Sequence, residues 1–300
     1  MFSDLKVSSD RSWNGVFGID SQSFARLVTL CEARHLELKG RSYEDQLDLS
    51  AKGHLARIKT LENLIGYTLM VLKGGLTFDL AAFILQFDQS RAHRQFEKGL
   101  AFIHDVLEIE GYTPVRSISS PEEFSAVFSD IDTIIIDGTE QRIQRPHDQD
   151  EQKMFYSGKK KAHTYKSMII STLDKYIHYV SYVYVGTSAE ISIMEEEFDP
   201  ELNWFEGIKV RVDLGYVGFS KKYPQAELYL PHKKPRGGEL TEAQKLENKL
   251  LAKQRIKVEH SIGGMERYDI LSISNRIHKV DSYNLILATC AGLWNFFITR

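Results

Sequence analysis

The chain is poor in cysteine, in long apolar runs and in net charge, and each shortage removes or narrows a class of protein. Of 300 residues only Cys31 and Cys290 are cysteine, far apart and without a partner ligand at metal-site spacing, so neither a disulfide framework nor a zinc centre organises the fold. No apolar run approaches the roughly 20 residues that span a bilayer. The first 20 residues mix charge and polarity and lack the apolar core of a secretion signal. The expectation is a cytoplasmic protein in a reducing compartment, with no membrane partner. There is no internal repeat and no low-complexity segment. The net charge is only −3, but it is unevenly spread: 14 Lys plus Arg face 19 Asp plus Glu before Asp137 (−5), and 24 face 22 from Asp137 onward (+2). Divalent cations on three carboxylates of the second half would make it more basic still, so a polyanionic partner is not excluded.

What is present begins with a 42% hydrophobic content, enough for one large domain or two of ordinary size. Residues 58–112 carry helical periodicity. Leu61, Ile65, Leu69 and Leu72 recur every three or four positions until Gly74 and Gly75. Thr77 can cap a short helix through Leu85, Gln86 to Asp88 form a turn, and Ser90 can cap a third helix through Phe96, Leu100, Ile103 and Leu107. Short helix, turn, helix is a helix-turn-helix pattern. On its last helix Arg91, Arg94 and Lys98 share one face, which can meet phosphates and base edges. The same spacing also suits a plain helical bundle with a solvated basic stripe.

After Pro114 and Pro121 the period changes. Ile131 to Ile136 forms a β-branched strand closed by Asp137; Tyr165 to Leu173 and Tyr176 to Val185 form a hairpin across Asp174 and Lys175. A helix capped by Ser188 runs to Phe198, a strand over Ile208 to Leu214 carries Asp213 at its end, and Ala226 to Leu230 is a further strand. Thr241 and Gln244 make a capping box for a helix ending at Gly263 and Gly264, and Tyr283 to Ile298 is a last apolar helix expected to complete that core. The fold class expected is α/β: a helical region over 1–115 with the helix-turn-helix, then an RNase H-like domain, a mixed sheet flanked by helices, over 116–300.

Asp137, Asp213 and Glu259 stand in the order in which such a fold assembles an acidic site. Cutting a phosphodiester requires an activated oxygen and relief of charge on phosphorus, and two Mg²⁺ ions held by carboxylates supply both. Each acid has an ordinary explanation too: a turn former before glycine at Asp137 and Asp213, and an ion pair with Arg255 one turn away at Glu259. Their surroundings favour the chemistry. From Lys153 to Lys166 there are five lysines and no acid, interleaved with Phe155, Tyr156, His163 and Tyr165. Lys221, Lys222, Lys233, Lys234 and Arg236 follow Asp213, and Lys245, Lys249, Lys253, Arg255 and Lys257 share the helix of Glu259.

The run Asp137, Gly138, Thr139, Glu140, Arg145, Pro146, Gln152, Tyr156, Ser157, Gly158, Lys159, Lys160, Lys161, His163, Thr164, Lys166 resembles the first catalytic block of IS5-type transposases, of the DDE superfamily of endonucleases that also includes Harbinger-like members. Asp213, Gly215, Tyr216 and Gly218 are similar to the second block, and Arg255, Val258 and Glu259 to the third. The acids are 76 and 46 residues apart, which suits a member without a large insertion. After Glu259 the chain departs from the family, with Gly263, Gly264, Met265, Glu266 and Arg267 in place of a Gly-Arg-Leu-Lys-like stretch. The resemblance implies Mg²⁺ or Mn²⁺, two ions per site, on Asp137, Asp213 and Glu259. It also implies DNA contact by Lys159, Lys160, Lys161, His163, Lys166 and Arg255. Terminal inverted repeats and target DNA would be the partners, bound by a homo-oligomer in the nucleoid, with no nucleotide or organic cofactor. A transposase-derived repressor without catalysis and a nuclease that cuts without joining remain open at this point.

Overall fold

The computed structural model describes residues 9–50, 56–86, 88–235, 237–274, 276–277 and 279–299. Phe87 of the expected turn, Arg236 of the second basic cluster and residues 1–8 lie outside them. The chain forms two compact units, Met1–Thr113 with Glu266–Arg300, and Pro114–Met265.

The first six helices of the first unit begin where a polar side chain accepts a backbone amide that the first turn leaves without a partner. Ser9, Asp20 and Ser42 cap α1 (Asp10–Phe17), α2 (Ser21–Lys39) and α3 (Tyr43–Asp48). Thr60 caps α4 (Leu61–Gly74), which ends at Gly75 with a left-handed φ of 54°, and Thr77 caps α5 (Phe78–Leu85) as expected. The third helix, α6 (Gln89–Ile109), starts earlier than expected: Asp88, not Ser90, is the cap, its Oδ1 accepting the Arg91 amide at 2.8 Å. Asp caps as well as Ser, so the helix gains two residues at its start. Buried Ala92 and Gly99 face α4, where Tyr67 donates its hydroxyl to the Ala92 carbonyl at 2.8 Å.

The second unit is built on one mixed sheet. After α7 (Pro121–Val127) come β1 (Thr133–Arg142), α8 (Gln149–Phe155), β2 (Tyr156–Ser157), β3 (Ala162–Thr172), β4 (Ile177–Val180), β5 (Tyr184–Val185), α9 (Glu190–Glu197), β6 (Lys209–Arg211), α10 (Phe219–Lys222), β7 (Glu227–Tyr229) and α11 (Glu242–Met265). The strand order is β2-β3-β1-β6-β7, with β4 and β5 also on β3. β1 is antiparallel to β3 and parallel to β6, and β6 is parallel to β7. This is the expected RNase H-like arrangement. Its core joins Ile134, Ile136 and Val210 of the strands to Phe124, Met194, Phe198, Phe205 and Phe219 from the helices and loops. The hairpin link is confirmed at Lys175, whose φ is 76°. So is the capping box: Thr241 N–H donates to Gln244 Oε1 at 3.0 Å and Gln244 N–H to Thr241 Oγ1 at 3.2 Å.

Three local expectations change. β1 runs five residues past Asp137, because its pairing with β3 continues to Arg142↔Thr164; the Gly after Asp137 is therefore part of a strand and not a turn. Ala189 stands at the start of α9 without a capping side chain. α11 passes through Gly263 and Gly264 to Met265. The last helix, α12 (Val280–Ile298), is apolar on nearly every side and packs on α6 in the first unit, where Thr289 Oγ1 meets His104 Nδ1 at 3.2 Å and Asn295 donates to the Tyr112 carbonyl at 2.9 Å. An all-round apolar helix must be buried, but its pattern does not say against what.

A Cβ at Gly99 would stand 1.9 Å from the hydroxyl of Thr68, a fully buried residue that is itself bonded to the Leu64 carbonyl at 2.9 Å. Gly99→Ala is expected to destabilise the first unit by about 1–3 kcal/mol through overpacking, read by urea denaturation, and adding Thr68→Ala should recover part of the loss.

Candidate active site

The parallel pairing of β1 with β6 brings two acids together. Thr133 pairs with Lys209, Ile134 with Val210 and Ile135 with Arg211, an offset of 76 residues. The same offset separates Asp137 from Asp213, so the register, continued two positions, sets them side by side. Asp137 lies within β1 and accepts the Gly138 amide on Oδ1 at 2.8 Å. Asp213 lies just past β6, where its Oδ1 accepts the Gly215 amide at 2.6 Å and caps a short 3-10 helix over Leu214–Tyr216.

Burial raises the Asp137 carboxyl to about 6, and the charge of Asp213 adds to that rise; the Gly138 amide and Arg255 oppose it. Arg255 is the principal cation here. From α11 its guanidinium reaches Glu259 Oε1 at 2.8 Å and Asp213 Oδ2 at 3.8 Å. Partial burial disfavours the charge of Arg255, but the bond to Glu259 and the charge of Asp137 outweigh this and its pKa is raised. Glu259 is half-exposed and attached to the pair through Arg255.

A fourth acid, Glu190, was not foreseen. It opens α9, its side chain is 13% exposed, and Lys159 Nζ is 3.9 Å from Oε1. Burial raises its pKa, followed by the charge of Asp213. Its only sequence signal was its place just after Ser188, at the helix start, where an acid has a routine role. Tyr216 was quoted only within the second block; it is fully buried and its hydroxyl has no hydrogen-bond partner among the described residues. Glu190, Asp137 and Asp213 all act electrostatically on that phenol.

The basic residues divide by exposure. Lys159, Lys160 and Lys161 are exposed on the turn joining β2 to β3, where Lys161 has a φ of 49°. His163 lies across from Tyr156, ring centroids 5.6 Å apart. Lys166 is buried, donating to the Ser188 carbonyl at 2.6 Å and facing Glu140 at 3.7 Å. In the first unit Arg91, Arg94 and Lys98 are exposed on α6; Arg91 faces Asp88 at 3.8 Å, and Lys98 lies over the Tyr43 ring at 4.5 Å.

Carboxylate oxygens are the donors that Mg²⁺ or Mn²⁺ prefers, and two carboxylates stand side by side with a buried, unsatisfied hydroxyl close by, so the residues fit a hard divalent cation in kind. Among the described residues no three His, Cys, Asp or Glu are gathered as tightly as ion ligands, and Arg255 lies between Asp213 and Glu259.

Residues 136–295 match a family described as DDE superfamily endonuclease. A relative from Microchaete diplosiphon, "Probable transposase for insertion sequence element IS702", is 28% identical over 186 residues, 60% of this chain and 62% of its own length. The chain thus spans under two thirds of that curated relative. No solved structure matches. Among the described residues no helix is long and apolar enough to cross a membrane.

Lys166 and Glu140 are 10% and 6% exposed in their side chains. Lys166→Met is expected to cost about 3–5 kcal/mol by leaving Glu140 buried without its cation, measured by urea denaturation, while Lys166→Met with Glu140→Leu should cost much less.

Proposed function

We propose that this chain, which belongs to the DDE superfamily of endonucleases, is a DNA transposase of the IS5 kind that cuts at the terminal inverted repeats of its element and joins the 3′ ends to target DNA. The observation that carries the reading is the 76-residue register of parallel β1 and β6, which, continued past the end of β6, sets Asp213 beside Asp137. Asp137, Asp213 and Glu259 would hold two Mg²⁺ ions, or Mn²⁺. When bound, these would lower the barrier to attack on phosphorus by activating the oxygen nucleophile and stabilising the leaving oxygen.

The chain's own residues supply the rest. The sheet keeps Asp137 rigid, and the Gly138 and Gly215 amides each orient one Asp carboxylate through its Oδ1. Arg255 neutralises Asp213 and Glu259 in the metal-free protein and can turn to a phosphate once cations replace it. Lys159, Lys160 and Lys161 are exposed near Glu190 and offer charge to the DNA backbone, with His163 and Tyr156 beside them. α5 and α6 would read the terminal repeat through Arg91, Arg94 and Lys98, and two or more copies would pair the element's ends in the nucleoid.

With Mg²⁺ and a duplex ending in the element's repeats, the purified protein is expected to nick the DNA and yield strand-transfer products on a gel. Asp137→Asn should abolish both while leaving the circular dichroism spectrum unchanged. Undiminished cleavage by that variant would overturn the assignment, and nicks without joined products would leave an endonuclease only.

A further inference from the structure

The glycines beside the two aspartates shape the space around a third carboxylate. A Cβ on Gly138 would stand 3.2 Å from Glu190 Cγ, and one on Gly215 would stand 1.7 Å from Glu190 Oε2 and 2.8 Å from Asp213 Oδ1. Glu190 thus lies against the backbone of both glycines, and a side chain at Gly215 would displace its carboxylate. The second pair of distances also bounds a third. A point 1.7 Å from Glu190 Oε2 and 2.8 Å from Asp213 Oδ1 makes the two oxygens near neighbours, no further apart than those two distances end to end. Two oxygens on one Mg²⁺, each about 2.1 Å from it, can be up to about 4.2 Å apart.

Asp213 therefore has two differently served oxygens. Oδ2 faces Arg255, which also holds Glu259. Oδ1 accepts the Gly215 amide at 2.6 Å and also faces Glu190, and among the described residues no guanidinium reaches it. Glu190 meets the ammonium of Lys159 at 3.9 Å, on a side chain that is 72% exposed, and feels the charge of Lys166, which is itself committed to Glu140 and the Ser188 carbonyl. Among the described residues no hydrogen bond reaches the Glu190 carboxylate. A buried carboxylate held against a second one, with so little to offset it, is costly unless a cation is bound. Tyr216 supplies an independent sign. Its hydroxyl is fully buried, has no hydrogen-bond partner among the described residues, and lies within the electrostatic reach of Glu190, Asp137 and Asp213. Groups of this kind are normally satisfied, by protein or by ordered water. The water shell that a divalent cation keeps would provide that partner.

We infer that Glu190 is a fourth carboxylate of the metal site, binding a divalent cation together with Asp213 Oδ1 and Asp137 on the side of Asp213 that Arg255 leaves open. This rests on the proposed metal-dependent reading of the site. The alternative role for Glu190 is a first-turn acid that favours the start of α9, and it would leave metal affinity untouched.

The test is Mn²⁺ titration of the intact protein without DNA, followed by electron paramagnetic resonance of free Mn²⁺, with thermal unfolding in EDTA and in Mn²⁺. Glu190→Gln is expected to weaken Mn²⁺ binding by about tenfold or more and to lose most of the Mn²⁺-induced rise in Tm, while its Tm in EDTA is not lowered. Glu190→Asp, which keeps the charge but is one methylene shorter, should fall between the two. Wild-type affinity in Glu190→Gln with lost affinity in Asp137→Asn would overturn the role of Glu190 and leave the proposed function standing. Wild-type affinity in both, or no saturable Mn²⁺ binding by the unsubstituted protein, would overturn both. If Glu190→Gln does not fold, Glu190→Asp decides alone: unchanged affinity overturns the inference and weakened affinity supports it.

Discussion

Repulsion between Asp137 and Asp213 is the constraint around which the second unit is arranged. Parallel pairing of β1 and β6 brings the two carboxylates together, and like charges in a partly buried setting oppose the structure that holds them. The fold meets this with fixed groups. Each Asp takes a backbone amide from a glycine just after it. Arg255 reaches one oxygen of Asp213 from a different element, α11. None of these groups removes the repulsion, and in the proposed reading a bound cation would offset what remains of it.

The two glycines act through what they lack. At Gly138 and Gly215 the absence of a Cβ opens the space that the Glu190 side chain occupies. Sheet, turn and helix start bring three acids into one neighbourhood, close enough for their charges to act on one another. The lysine-bearing turn between β2 and β3 reaches this neighbourhood through Lys159 alone, while Lys160 and Lys161 stay in solvent. Acidic centre and basic rim are thus separate layers of one surface, which is the charge pattern needed to hold a polyanion and a metal together.

Much of this was legible in the sequence, for identifiable reasons. Caps at Thr77 and Thr241 could be read because a hydroxyl at a helix start is a local signal. The spacing of 76 between the aspartates was visible, but its meaning as a strand register was not, since nothing local records which strands pair. Glu190 escaped for the same reason: its role depends on Gly138 and Gly215, distant in sequence, and alone it is an unremarked acid in a first helical turn. Lys166 sat in a lysine-rich run and shared its neighbours' expected role, yet strand alternation turns it inward to Glu140 and the Ser188 carbonyl. The destination of α12 was also out of reach, because apolarity on nearly every side specifies burial without specifying a neighbour.

The long helix α11 is not held evenly along its length. Its buried residues, Val258, Ser261, Gly264 and Met265, all fall in its last third. The earlier part is tied down mainly by polar contacts to His232, through Glu247 at 2.7 Å and Asn248 at 2.7 and 3.0 Å. Helical stretches of this length are marginal in water without packing, so the first four turns answer to intrinsic propensity and the last two to the core. Glu259 sits at the boundary between these regimes, one residue beyond the first anchored side chain. Its reach toward the aspartates is therefore governed by where the helix stops being solvent-supported and starts being protein-supported, which makes the third acid the adjustable member of an otherwise rigid set.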